Sequence, residues 1–89
     1  MRAYIVEPGE RGMPKDGWSW EEASKKVSEI TPLIQRKYPE VIVAHTSYFP
    51  NTEIINTLVI HVPEELTREM IEKEFSCGLL PVAYEPKSS

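Results

Sequence analysis

Two adjacent β-forming segments, with an amphipathic helix pattern on either side, most constrain what this chain can fold into. Residues 40–48 (EVIVAHTSY) and 53–62 (EIINTLVIHV) are rich in Ile, Val and Thr, a composition that favours strands. Residues 49–52 (FPNT) between them contain Pro and Asn, which are typical of turns. The central part of the chain is therefore predicted to be a β-hairpin.

A helix is predicted on each side of this hairpin. Ser19 begins a capping box with the glutamate three residues later, and apolar residues then recur every three or four positions as far as Tyr38. Pro32 interrupts this pattern, so we expect a kink or a helix in two pieces. The second helix is expected to begin at Thr67, and Gly78 is expected to be the residue that ends it.

Short strands are predicted near both ends of the chain, at residues 2–7 and 79–85, the latter at a sheet edge because it contains Pro81. The order β-α-β-β-α-β is the split βαβ, or ferredoxin-like, α+β layout. It predicts a four-stranded antiparallel sheet with strands 1 and 3 in the centre and both helices on one face. A different α+β order and a swapped dimer of the same elements are the alternatives. We expect one domain over residues 1–85 and a flexible tail at 86–89.

Composition narrows the class of function. Eighty-nine residues are enough for one domain, and ten basic against fourteen acidic residues give a net charge of −4. An acidic chain is a poor candidate for broad phosphate neutralisation, so nucleic-acid binding is not expected. A single cysteine fits a reducing cytoplasm, and no apolar run is long enough for a membrane span. Thirteen Glu against one Asp, with few amides, is the direction seen in heat-adapted proteins.

The face of the predicted sheet that the helices leave uncovered is too apolar for simple exposure to water. Pairing Tyr48 with Glu53 and Ala44 with Thr57 turns one set of side chains to this face: Ile42, Ala44, Thr46, Tyr48, Ile55, Thr57, Val59 and His61. Apolar patches of this kind mark association or ligand sites. We expect a homodimer or a protein partner, with Ile42, Tyr48, Ile55, Thr57, Val59 and His61 in the interface. An ordinary half-exposed sheet is the alternative.

The loop at residues 8–18 is the segment most suited to contact a ligand. It leads from the first strand to a helix N-terminus, where backbone amides can receive an anion, and it carries Arg11 and Lys15. A small-molecule sensor or small enzyme with Arg11, Lys15, Tyr48 and His61 at its site is therefore the alternative function. The loop has neither a Walker nor a dinucleotide-binding pattern, and a plain surface connection explains it equally well.

No sequence pattern typical of catalysis, metal binding or cofactor binding is found. His45 and His61 are on adjacent strands and are expected to point to opposite faces, without the further ligands that zinc needs. Cys77 follows a helix C-terminus, where a thiolate is disfavoured, and a buried thiol is expected. We expect no catalytic residue, no metal and no cofactor.

The second helix is acidic. Residues 64–74 contain five glutamates but only two basic residues, and Glu65, Glu69 and Glu72 are expected to form an acidic surface. The second alternative function is therefore an acidic protein that blocks a basic surface on another macromolecule, although a solvated helix face is the simpler interpretation. The leading hypothesis is a small cytoplasmic, non-catalytic binding or regulatory module that associates through its uncovered sheet face.

Overall fold

The computed structural model describes residues 2–48 and 54–82 and contains the six elements in the predicted order. They are β1 (Arg2–Val6), α1 (Trp20–Gln35), β2 (Ile42–Tyr48), β3 (Ile55–Val62), α2 (Arg68–Phe75) and β4 (Leu79–Pro81). The turn predicted at 49–52, the end of the last predicted strand at 83–85 and the tail at 86–89 lie outside the described residues.

The four strands form one antiparallel sheet in the order β2-β3-β1-β4. The prediction of an α+β fold with a four-stranded antiparallel sheet and two helices is confirmed. The predicted hairpin register is wrong by two residues, because Tyr48 pairs with Ile55 and Ala44 pairs with Val59. Since side chains alternate between faces with a period of two, this error leaves every side chain on its predicted face.

Both helices pack on the same face of the sheet and share one hydrophobic core with it. Ile30 and Ile34 of α1 and Ile71 and Phe75 of α2 are all buried in this core. The sheet contributes alternate residues to the same cluster: Tyr4, Val6, Val43, Leu58, Ile60, Val62 and Leu79. The loop between β1 and α1 contributes the buried side chains of Met13 and Trp18 to the same core.

Helix α1 begins as predicted, but it ends earlier. The Ser19 side chain accepts a hydrogen bond from the Glu22 amide at 3.2 Å. The helix is a single element across Pro32, so the two-piece alternative is wrong. Proline removes only its own N–H from the ladder, and its carbonyl still accepts from Arg36 at 3.2 Å. The helix ends at Gln35, short of Tyr38, although the Tyr38 amide still donates to the Ile34 carbonyl at 2.9 Å.

Helix α2 also begins as predicted, with the Thr67 hydroxyl accepting from the Met70 amide at 3.2 Å. The prediction that Gly78 ends this helix is wrong. Ser76 adopts the left-handed conformation instead, with φ 57°, and its N–H donates to the Glu72 carbonyl at 2.8 Å. Gly78 lies two residues further on, where its carbonyl accepts from the Glu7 amide at 3.0 Å.

Candidate functional site

The sheet face opposite the helices is the candidate functional surface, and we call it the outer face. Directly opposed residues of antiparallel strands project to the same side of a sheet. The pairs Ile5–Val59 and Val59–Ala44, with Ile5–Leu80, form one row, and Ala3–His61 and His61–Ile42 form the next. The described side chains that the four strands turn to the outer face are Ala3, Ile5, Ile42, Ala44, Thr46, Ile55, Thr57, Val59, His61 and Leu80. Glu7, just beyond β1, lies on the same side, because its amide donates to the Gly78 carbonyl at 3.0 Å and its carboxylate lies where a Cβ of Gly78 would point.

The chemistry of the outer face is uniform. None of these described strand residues is an Asp, Glu, Lys or Arg, and His61 is the one titratable side chain among them. The backbone of Tyr48 pairs with Ile55, but the Tyr48 side chain lies outside the described part of the structure. A surface with these residues can bury apolar area against a partner without leaving a carboxylate or an ammonium group unpaired.

Exposure divides the outer face into an open end and a covered end. Ile42 is 51% exposed, and Val59 and His61 are partly exposed, so the end that carries Ile42 and His61 is open. Ile55 and Thr57 were expected in the interface, but both are buried within the chain itself. The Thr57 hydroxyl donates to the Val6 carbonyl at 2.8 Å.

The covered end is made by the loop between β1 and α1. Gly17 has φ +84°, and a Cβ at this position would overlap Cγ2 of Ile55 and lie 3.1 Å from the Asn56 backbone. Trp18 and Asn56 form an isolated antiparallel bridge. Its hydrogen bonds run from the Trp18 amide to the Asn56 carbonyl at 3.2 Å and from Asn56 Nδ2 to the Trp18 carbonyl at 3.1 Å.

The sequence alone does not predict this bridge between Trp18 and Asn56. The available signal is Asn56 itself, since Asn is depleted in strand interiors and its side chain readily bonds to backbone groups. The strand pattern around it identifies β3 but not the loop residue that pairs with it.

The structure separates the residues of the predicted ligand site. Arg11 Nη1 donates to the Phe75 carbonyl at 2.5 Å, and the Arg11 guanidinium lies 5.3 Å from the centre of the Phe75 ring. Arg11 therefore contacts the C-terminal end of α2, on the helix side of the sheet, whereas His61 lies on the outer face. Lys15 is exposed on the loop. Arg11 and His61 are not brought together at one site.

The second helix presents part of the expected acidic surface. Glu69 on α2 and Glu65 in the turn before it are exposed. Glu72 is ion-paired with Arg68 at 2.9 Å, one turn earlier on the same helix. Local pairing of this kind is typical of a solvated helix surface.

The two histidines lie on opposite faces, as expected. His45 faces α1, where its Nδ1 lies 3.4 Å from the Ser24 hydroxyl and its ring packs edge-on against Trp20, with ring centres 4.0 Å apart. Among the described residues no group of three or more His, Cys, Asp or Glu is arranged to hold a metal ion. Cys77 is buried, and burial raises the pKa of its thiol to about 11, while the nearby Arg11 acts in the opposite direction.

Comparisons with protein-family models, with curated proteins and with solved structures give no match for this chain. Neither α1 nor α2 has the length and apolar character that a membrane-crossing helix needs.

Proposed function

We propose that this chain is a small non-catalytic binding module that associates with a second copy of itself through the outer face. The single observation that carries the proposal is the absence of Asp, Glu, Lys and Arg from the described strand positions of the outer face, in a chain in which 27% of the residues are charged. A two-fold dimer brings the same patch of two copies together. Such a patch is self-complementary when no like charges meet across the axis.

We also propose that the fold is the ferredoxin-like arrangement. The element order and the strand order β2-β3-β1-β4 support this assignment. With both helices on one side, the sheet has one face for the core of the domain and an outer face that is open at the end that carries Ile42 and His61. A likeness at the level of the fold carries no activity with it, so the proposed function rests on the outer face alone.

The size of the outer face favours weak, reversible association. Four strands about 4.8 Å apart and rows of residues about 3.4 Å apart give a whole face of roughly 19 × 20 Å, so the part left open beside the loop is less than roughly 400 Å² per copy. Two copies together would bury less than roughly 800 Å², which is below the 1,200–2,000 Å² or so of a standard stable interface. The dimer is therefore expected to dissociate on dilution.

Ile42→Glu is the variant that tests this proposal. Ile42 is 51% exposed, so a carboxylate there remains in water in the monomer and should not impair folding. In the dimer the interface would desolvate one carboxylate from each copy, which costs at least about 2 kcal/mol, or roughly 30-fold in the dissociation constant. Val59→Glu should have the same effect nearer the centre of the face.

Sedimentation equilibrium over a concentration series measures the result, and Leu33→Glu is the matched control. Leu33 is 58% exposed on α1, on the opposite side of the sheet. We expect wild type and Leu33→Glu to dimerise alike and Ile42→Glu to remain a monomer. A wild-type chain that stays monomeric at the highest concentration would contradict the proposal, as would equal dimerisation of all three proteins.

A further inference from the structure

His61 lies on the outer face among apolar side chains of the neighbouring strands. On β2 it is paired with Ile42 and on β1 with Ala3, and the next outward residue along β3 is Val59. The helices pack on the other face of the sheet. Among the described residues, no carboxylate faces His61 from β1, β2 or β3 to stabilise its charged form.

The surroundings of His61 give the proposed dimer a dependence on pH. Covering the outer face removes the imidazole from water, and burial penalises the charged form of a group far more than its neutral form. A two-fold dimer would also place a second imidazole in the same apolar interface. We infer that protonation of His61 opposes self-association, so that the dimer forms near and above neutral pH and dissociates in mild acid. This inference rests on the proposed function.

Proton linkage sets the direction and the size of the effect. Imidazole side chains ordinarily titrate near pH 6.5, and carboxylates below about pH 5, so imidazole is the group that changes charge between about pH 7.5 and about pH 5.5. If both rings must be neutral in the dimer, two protons are released per association. The dissociation constant then rises by roughly 100-fold over this range, because the monomer binds more protons than the dimer. The logarithm of the constant approaches a slope of two per pH unit on the acid side.

The experiment is sedimentation equilibrium of the full chain at about pH 7.5, 6.5 and 5.5 and constant ionic strength. The chain has two histidines, so His45→Gln is the matched control for His61→Gln. We expect wild type and His45→Gln to show the same large loss of affinity in acid. The dissociation constant of His61→Gln, whatever its value at neutral pH, should not change with pH. His61→Lys, which is charged throughout, should associate weakly at every pH.

The possible outcomes separate the inference from the function on which it rests. A wild-type dimer with the same dissociation constant at all three pH values would overturn the role of His61 and leave the dimer standing. An unchanged pH response in His61→Gln, or a response lost in His45→Gln, would overturn it too. A wild-type monomer at every pH would overturn both proposals. Circular dichroism at each pH establishes that the monomers compared are folded.

Discussion

Replacing Gly17 by alanine should destabilise the fold strongly, because two separate costs meet at this position. Gly17 has φ +84°, a conformation that costs an L-residue roughly 1–2 kcal/mol. The new methyl group would also overlap Cγ2 of Ile55 and lie 3.1 Å from the Asn56 backbone, and such overpacking costs about 1–3 kcal/mol. The sum of about 2–5 kcal/mol is a large part of the roughly 4–13 kcal/mol expected for a chain of this length.

Gly12→Ala separates the two costs. Gly12 has nearly the same backbone conformation, with φ +76°, but nothing lies within 4 Å of the place its Cβ would occupy. Gly12→Ala should therefore lower the free energy of unfolding only by the cost of the backbone conformation, about 1–2 kcal/mol. Urea unfolding followed by circular dichroism measures both variants. With a slope of about 1–2 kcal/mol per molar urea, the loss of about 2–5 kcal/mol should lower the unfolding midpoint of Gly17→Ala by roughly 1–5 M.

Equal destabilisation by Gly17→Ala and Gly12→Ala would refute this reasoning. It would mean that the loop before α1 does not pack against β3 at Ile55 and Asn56. Ile55 would then belong to the open part of the outer face, and the surface available to a partner would be larger than described above.

Two further predictions concern the loop and the end of α2. Arg11→Ala should lower the free energy of unfolding by about 1–3 kcal/mol, because the Phe75 carbonyl loses a charged donor. Lys15→Ala is the control and should change this free energy by less than about 0.5 kcal/mol. Equal effects of the two variants in urea unfolding would contradict the structural role of Arg11. Cys77 should react with iodoacetamide far more slowly in the folded chain than in urea near pH 8. Burial raises the pKa of its thiol from 9.0 to about 11. The stability that this thiol contributes should therefore be present below pH 9 and be lost as the pH rises from 9 to 11. If the difference in unfolding free energy between wild type and Cys77→Ser stayed constant from pH 9 to 11, this prediction would be contradicted.

The parts of the fold that the sequence predicts correctly depend on local patterns. The capping hydroxyls of Ser19 and Thr67 act on amides three residues away, and a capping signal can be recognised within that distance. The two faces of β2 and β3 follow from the alternation of side chains. For the same reason, an error of two residues in the register leaves the assignment of side chains to the outer face correct. An error of one residue would have reversed that assignment for one strand.

The parts that could not be predicted depend on contacts between distant segments. Arg11 and Phe75 are 64 positions apart, and nothing near Arg11 in the sequence indicates that it contacts a helix end rather than a ligand. The bridge between Trp18 and Asn56 spans 38 positions and converts part of a long loop into an addition to the sheet. The end of α2 was also predicted wrongly, because Ser76 and not Gly78 adopts the left-handed conformation there.

These contacts between distant segments also determine which part of the outer face is available to bind a partner. Because the loop covers Ile55 and the Val6 carbonyl satisfies the buried hydroxyl of Thr57, a partner can bury little additional surface at that end. The uncovered apolar area is concentrated at the row that contains Ile42 and His61. In a two-fold dimer that uses this row, each imidazole lies among the residues whose desolvation drives association. The loop that covers the Ile55 end limits the apolar area of the proposed dimer. Because the free energy gained from this small area is small, the cost of protonating one His61 per copy is a larger fraction of the dimer's stability.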